Sequence, residues 1–81
     1  MLLTLLILAH SWYPYYCCGD GHCHPTPCEL ISSTGKLWHW RNLQFTAEQV
    51  LPSLDAECHV CHDMWNGQPI QARCLFVKGT V

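Results

Sequence analysis

The sequence predicts a small, disulfide-rich, mainly β domain. Its architecture is an antiparallel sheet of two hairpins, with a disulfide-tied N-terminal arm and one short helical turn. Three observations lead there. Seven cysteines in 81 residues is the density of a stapled scaffold. The apolar segments are short and end at turn signals, Ser33-Thr34-Gly35-Lys36 and Asn66-Gly67, as strands of hairpins do. A helix-start signature occurs once, at Thr46. A chain of this length buries too little apolar surface to be comfortably stable without cross-links, a metal or a partner. The odd cysteine count leaves at least one thiol over.

Residues 1–9, Met1-Leu2-Leu3-Thr4-Leu5-Leu6-Ile7-Leu8-Ala9, read as the hydrophobic region of a signal peptide, although no lysine or arginine precedes them. The run is too short to span a bilayer as a helix. Cleavage fits after Ala9 or after Ser11, and residues 10–81 form the stapled domain. Trp12-Tyr13-Pro14-Tyr15-Tyr16 supplies aromatics to pack over a small core. From Cys17 to Cys28, four cysteines, two histidines and four Gly or Pro residues make a segment too turn-rich for a helix and too poor in apolar residues to fold unaided.

Glu29 to Ser32 and Leu37 to Arg41 read as the first hairpin, with Trp38 and Trp40 on one face and His39 on the other. Thr46-Ala47-Glu48-Gln49 is a capping box, and Pro52 ends the turn it starts. Glu57 to Asp63 and Gln71 to Val77 form the second hairpin. Pro69 cannot donate to a ladder, so a four-residue loop from Asn66 to Pro69 is expected, which places Cys61 opposite Cys74. One bridge is expected between Cys28 and Cys58, where a loop of about thirty residues contributes about 3–4 kcal/mol in the chain-entropy treatment. Cys61 or Cys74 should hold one of Cys17, Cys18 and Cys23, with Cys61–Cys74 across the hairpin as the competing pair.

Four basic against six acidic residues leave no cationic stripe, which argues against nucleic acid as a partner. No nucleophile elbow, phosphate loop, zincin motif or paired carboxylates are present, so no enzyme activity is expected. Three constellations could carry chemistry. Cys58-His59-Val60-Cys61-His62 matches the c-type haem attachment motif, but on a strand its two thiols point to opposite faces. Cys23, Cys28, Cys58 and Cys61 have spacings that a zinc site admits, provided they remain thiolates. Histidine alone offers the third: His10, if it becomes the amino terminus, with His22 and His24 as a nitrogen-rich metal site suited to Cu2+. The cofactor itself is not fixed by the sequence.

Trp12-Tyr13-Pro14, Cys17-Cys18, Cys23, His59-Val60-Cys61 and Cys74-Leu75-Phe76 together resemble a group of small uncharacterised exported proteins of proteobacteria and their phages. The resemblance covers nearly all of residues 10–81. It implies a secreted or periplasmic disulfide-tied module, favours cleavage before His10, and supplies no activity. His62 departs from the group's pattern, which implies that the haem-like motif is incidental. The expected function is that of an exported binding or interaction module. Its partner would be an envelope or extracellular protein, with a metal held through histidines and no membrane span after processing.

Overall fold

The computed structural model describes residues 12–18 and 22–78. Its scaffold is two small sheets packed face to face, with the N-terminal segment laid across the outside of the larger one. The elements in order are a helical turn α1 (Tyr15–Cys18), strand β1 (His22–Thr26), a 3-10 turn (Cys28–Leu30), β2 (Ile31–Thr34), β3 (Leu37–Trp40), β4 (Leu43–Phe45), a 3-10 turn (Ala47–Gln49), β5 (Val50–Pro52), β6 (Cys58–Trp65) and β7 (Gln68–Val77). The larger sheet runs β1-β6-β7-β5 and the smaller β2-β3-β4.

Both expected hairpins form, β2 with β3 and β6 with β7, each antiparallel. They lie in separate sheets, and each gains neighbours that the sequence did not announce. β4 extends the first. β1 and β5 flank the second, with β5 parallel to β7. Pro25 sits in β1 and Pro52 in β5, the two edge strands of the larger sheet, where a residue without an N–H is tolerated.

The larger sheet is buried on both faces. Toward the smaller sheet, Cys58, Val60, Leu75 and Val77 meet Trp40, Leu43 and Phe45, with Trp38 packed at the margin. Burying side chains such as Phe45 and Leu75, both fully enclosed, contributes about 1.5–3 kcal/mol each. On the outer face Cys17, Cys61, Cys74 and Phe76 form a second cluster, closed over by Trp12 and Tyr13. The aromatic opening therefore packs on a core, as expected. The helical turn at Tyr15–Cys18 corrects the expectation that its cysteines lie in non-helical chain. Pro14 pre-sets the backbone at its start and its carbonyl accepts from the Cys17 N–H at 2.9 Å. That turn aims Cys17 inward, fully buried, and leaves Cys18 half-buried.

Three disulfides use six cysteines: Cys17–Cys74, Cys23–Cys61 and Cys28–Cys58, with Cys18 the free thiol. The Cys28–Cys58 expectation is met. Cys61 and Cys74 do lie opposite one another, yet each bonds to the arm rather than to its neighbour. The register is reached by an unexpected route. Asn66 and Gly67, at φ 52° and 75°, form a two-residue turn closed by Trp65 and Gln68, the geometry that Asn-Gly favours. The four-residue loop is not used. Register shifts after Cys61 and after Asp63 skip Arg73 and Ile70 in the Cα register of β6 with β7 and restore the opposition of Cys61 and Cys74. Pro69 fits because β5 covers β7 only from Leu75 to Val77.

The bulge at Arg73 is held from two sides. Arg73 donates to Asp63 at 2.7 Å. Gln49 donates its amide to the carbonyls of Ala72 and Arg73, at 3.0 and 3.2 Å, while its oxygen accepts from the Thr46 N–H at 2.9 Å. The capping box read from Thr46 and Gln49 is present, closing one 3-10 turn before Val50–Pro52 continues as strand.

Candidate functional site: an imidazole-lined hollow

β1 and β6 pair with His22 opposite His62 and His24 opposite Val60. Since side chains alternate along a strand, His22, His24 and Thr26 share the face of β1 that looks toward the smaller sheet. Trp40, at the end of β3, closes that space. Its indole stacks on His62 with centroids 5.3 Å apart and 20° between planes, and its Nε1–H donates to Thr26 Oγ1 at 2.8 Å. The result is an open hollow of about 270 Å3 lined by His22, His24, Trp40, Arg41, His62 and Met64. Arg41 carries its guanidinium over the Trp40 ring, 5.0 Å from the centroid. It holds a left-handed backbone, φ 54°, which is uncommon for a residue with a side chain.

The imidazoles are graded in exposure: His22 exposed, His24 half-buried, His62 only 2 % exposed. Burial holds the His62 imidazole below its ordinary value, and the positive potential of His24 and His22 adds to this against the opposing Asp63 carbonyl and carboxylate. His24 and His62 face each other with their Nε2 atoms 3.0 Å apart. The Nδ1 of His24 lies 3.1 Å from the Pro25 carbonyl and that of His62 lies 3.0 Å from the Asp63 carbonyl. Among the described residues no three His, Cys, Asp or Glu side chains are already gathered around one point. His22, its ring 6.4 Å from that of His62, borders the pair.

A second polar chain lies on the opposite face. Tyr13 donates its hydroxyl to His59 Nδ1 at 2.7 Å, and His59 donates Nε2–H to Asp55 at 2.9 Å. Burial first, then the Asp55 carboxylate, pushes the Tyr13 phenol up to about 12. The His59 hydrogen bond holds the Asp55 carboxyl below its usual range. Trp12 covers the His59 ring edge-on at 5.0 Å. The chain pins the N-terminal segment to β6.

Of the three histidines singled out from sequence, His22 and His24 are brought together here, and His10 lies outside the described residues. The signal region and both cleavage points lie outside them as well. His62, read from sequence only as a haem ligand, is the missed member. Its signal was the β1–β6 register, which no local pattern reveals. His39 is where expected, on the outer face of β3, bonded to Thr34 at 2.7 Å. Cys58 faces the inner core and Cys61 the outer one, and both sulfurs are in disulfides, so neither thiol is open to a porphyrin. The four cysteines with zinc-like spacing are those same two bridges, Cys23–Cys61 and Cys28–Cys58, and disulfide sulfur is not thiolate. Cys18 is left beside them, its Sγ 3.3 Å from Cys23 Sγ, with burial pushing its thiol up.

A larger groove of about 480 Å3 runs over Cys28–Cys58. Glu29, Glu57 and Lys78 border it, and no imidazole does, so the hollow is where chemistry converges. Among the described residues no helix is long and apolar enough to cross a membrane. No protein-family model, no curated protein and no solved structure matches this chain.

Proposed function

We propose that the chain is an exported, disulfide-stabilised binding module of the cell envelope or extracellular space, and that its binding element is the hollow at His22, His24, Trp40 and His62. The observation that carries this reading is the grouping of His22, His24 and Trp40 around the His62 ring, in a concave site whose two histidine-bearing strands are stapled by Cys23–Cys61 between them. Concave sites with a few convergent polar groups are the ordinary form of small-ligand sites. Three bridges in a chain of this size support an oxidising compartment, as does the apolar run at residues 1–9.

The test has two arms. Expressed with its own N-terminal region in a bacterium with an oxidising periplasm, the protein is expected in the periplasmic or culture fraction, shortened at its amino terminus, with one alkylatable thiol. Full-length protein in the cytosol with seven thiols overturns export. In 15N-labelled oxidised protein, a panel of small anions, metal ions and short peptides is expected to move the signals of His22, His24, Trp40 and His62 ahead of all others. A panel that moves none of these overturns the hollow as the binding element.

A further inference from the structure

The facing imidazoles of His24 and His62 pose a question of proton count. A backbone carbonyl can only accept a hydrogen bond. The Pro25 carbonyl lies 3.1 Å from Nδ1 of His24, and the Asp63 carbonyl 3.0 Å from Nδ1 of His62, so each Nδ1 carries its ring's hydrogen. A neutral imidazole has only one such hydrogen, and both Nε2 atoms are then bare lone pairs, 3.0 Å apart and aimed together. Something positive stands between them: either one proton, which makes the pair an imidazolium–imidazole hydrogen bond, or a metal ion.

We propose that this something is a single Cu2+ ion, held by Nε2 of His24 and of His62 and completed by His22. The inference rests on the reading of the hollow as the binding element and names its ligand. Three features support it. Ligating histidines ordinarily donate their other ring N–H to a carbonyl or carboxylate, which fixes tautomer and orientation, and both rings already do so. With metal–nitrogen bonds of about 2.05 Å, two nitrogens 3.0 Å apart subtend about 94° at the ion. Both nitrogens can therefore reach one ion together, and an all-imidazole donor set suits Cu2+.

Third, two imidazoles on one ion can have ring centres up to about 6.4 Å apart with the same bond length. His22 is exposed and lines the same hollow, its ring 6.4 Å from that of His62, and the proposal requires its side chain to turn onto the ion. The Met64 thioether lines the same hollow and offers a soft donor should the ion be reduced. A ligand set spread over β1 and β6 needs those strands fixed in register, which the Cys23–Cys61 bridge does.

The test is Cu2+ titration of the oxidised, processed protein against a competing chelator, read by electron paramagnetic resonance and by quenching of tryptophan fluorescence. One equivalent is expected, with an axial spectrum split by two to three nitrogens. Removing an outer partner of a metal histidine costs about 10–100-fold in affinity. Loss of a ligand should cost at least as much, so His24→Gln and His62→Gln should each weaken binding tenfold or more. His39→Gln, on the smaller sheet, should leave it unchanged.

His24 is only half-buried, so His24→Gln keeps the test available if His62→Gln does not fold, and a count of one free thiol certifies each variant. Copper binding that survives His24→Gln but disappears in His10→Ser overturns the proposal in favour of an amino-terminal site. No binding at equimolar ion overturns it outright. If the anion and peptide arms of the labelled-protein experiment still shift Trp40, only the ligand was misassigned. If they too are silent, the hollow itself was misread.

Discussion

Replacing Cys17 and Cys74 together by alanine, in a Cys18→Ser background that removes the spare thiol, cuts the outermost of three nested links. Cys17–Cys74 encloses Cys23–Cys61, which encloses Cys28–Cys58. Taken alone, a link between residues 57 apart would remove chain entropy worth about 4.2 kcal/mol. Nesting shortens the effective loop. With Cys23–Cys61 intact, the outer link closes only the stretch from Cys17 to Cys23 and that from Cys61 to Cys74, about twenty residues in all, which is worth about 3.3 kcal/mol.

A domain of this size has a total stability of about 4–12 kcal/mol, so the change removes a large fraction of it. Urea unfolding followed by tryptophan fluorescence should therefore give a midpoint far below that of the Cys18→Ser parent. Fluorescence of Trp12, which packs on Phe76 at 5.0 Å, should shift to the red before the main transition as the arm lifts. A loss below about 1 kcal/mol with Trp12 still shielded would refute the reasoning, because Trp12, Tyr13 and His59 would then hold the arm without the bridge.

Three further outcomes follow from particular contacts. Thr26→Val removes the acceptor of the buried Trp40 Nε1–H and should cost about 1–3 kcal/mol in urea unfolding, the desolvation cost of an unpaired polar group; a neutral result would show that the indole finds another acceptor. Tyr13 titrates from a phenol raised to about 12, above the unfolded value of about 10, so its contribution is complete below pH 10 and disappears as pH rises through 12. Tyr13→Phe should erase the last tyrosinate step in absorbance at 295 nm, and an unchanged titration curve counts against the His59 contact. Asp55 runs the other way: its carboxyl is held low by His59, so its contribution is present above about pH 3.9 and is lost as pH falls through the lower folded value. Asp55→Asn should flatten the acid side of the stability–pH profile, and a parallel displacement of the whole profile would contradict this.

Sequence reasoning reached the fold where local chemistry and topology agree. Asn66-Gly67 can hardly be anything but a tight turn, Thr46 and Gln49 announce their own capping box, and the spacing of Cys28 and Cys58 suits a bridge from arm to strand. It failed where a strand is made by its neighbours. His22-Cys23-His24-Pro25-Thr26 has no aliphatic residue, and it becomes β1 because Cys23 is bonded to Cys61 and the ladder to β6 is already there. Val50-Leu51-Pro52 becomes a parallel edge strand because Gln49 ties the preceding turn to the bulged carbonyls of β7. The opposition of Cys61 and Cys74 was legible, although the structure reaches it with a shorter turn and two bulges. The partnership of His24 with His62 was not, because 38 residues separate them and only the β1–β6 register brings them face to face.

Pro25 and Pro52 have a consequence for how the molecule can meet others. Each interrupts the hydrogen-bonding run of one outermost strand of the larger sheet, so a foreign segment offered at either border finds a missing donor and cannot extend the ladder in continuous register. Growth of the larger sheet from one copy to the next is thereby disfavoured at both of its borders. At those two borders, contact with another molecule is left to side chains rather than to backbone pairing.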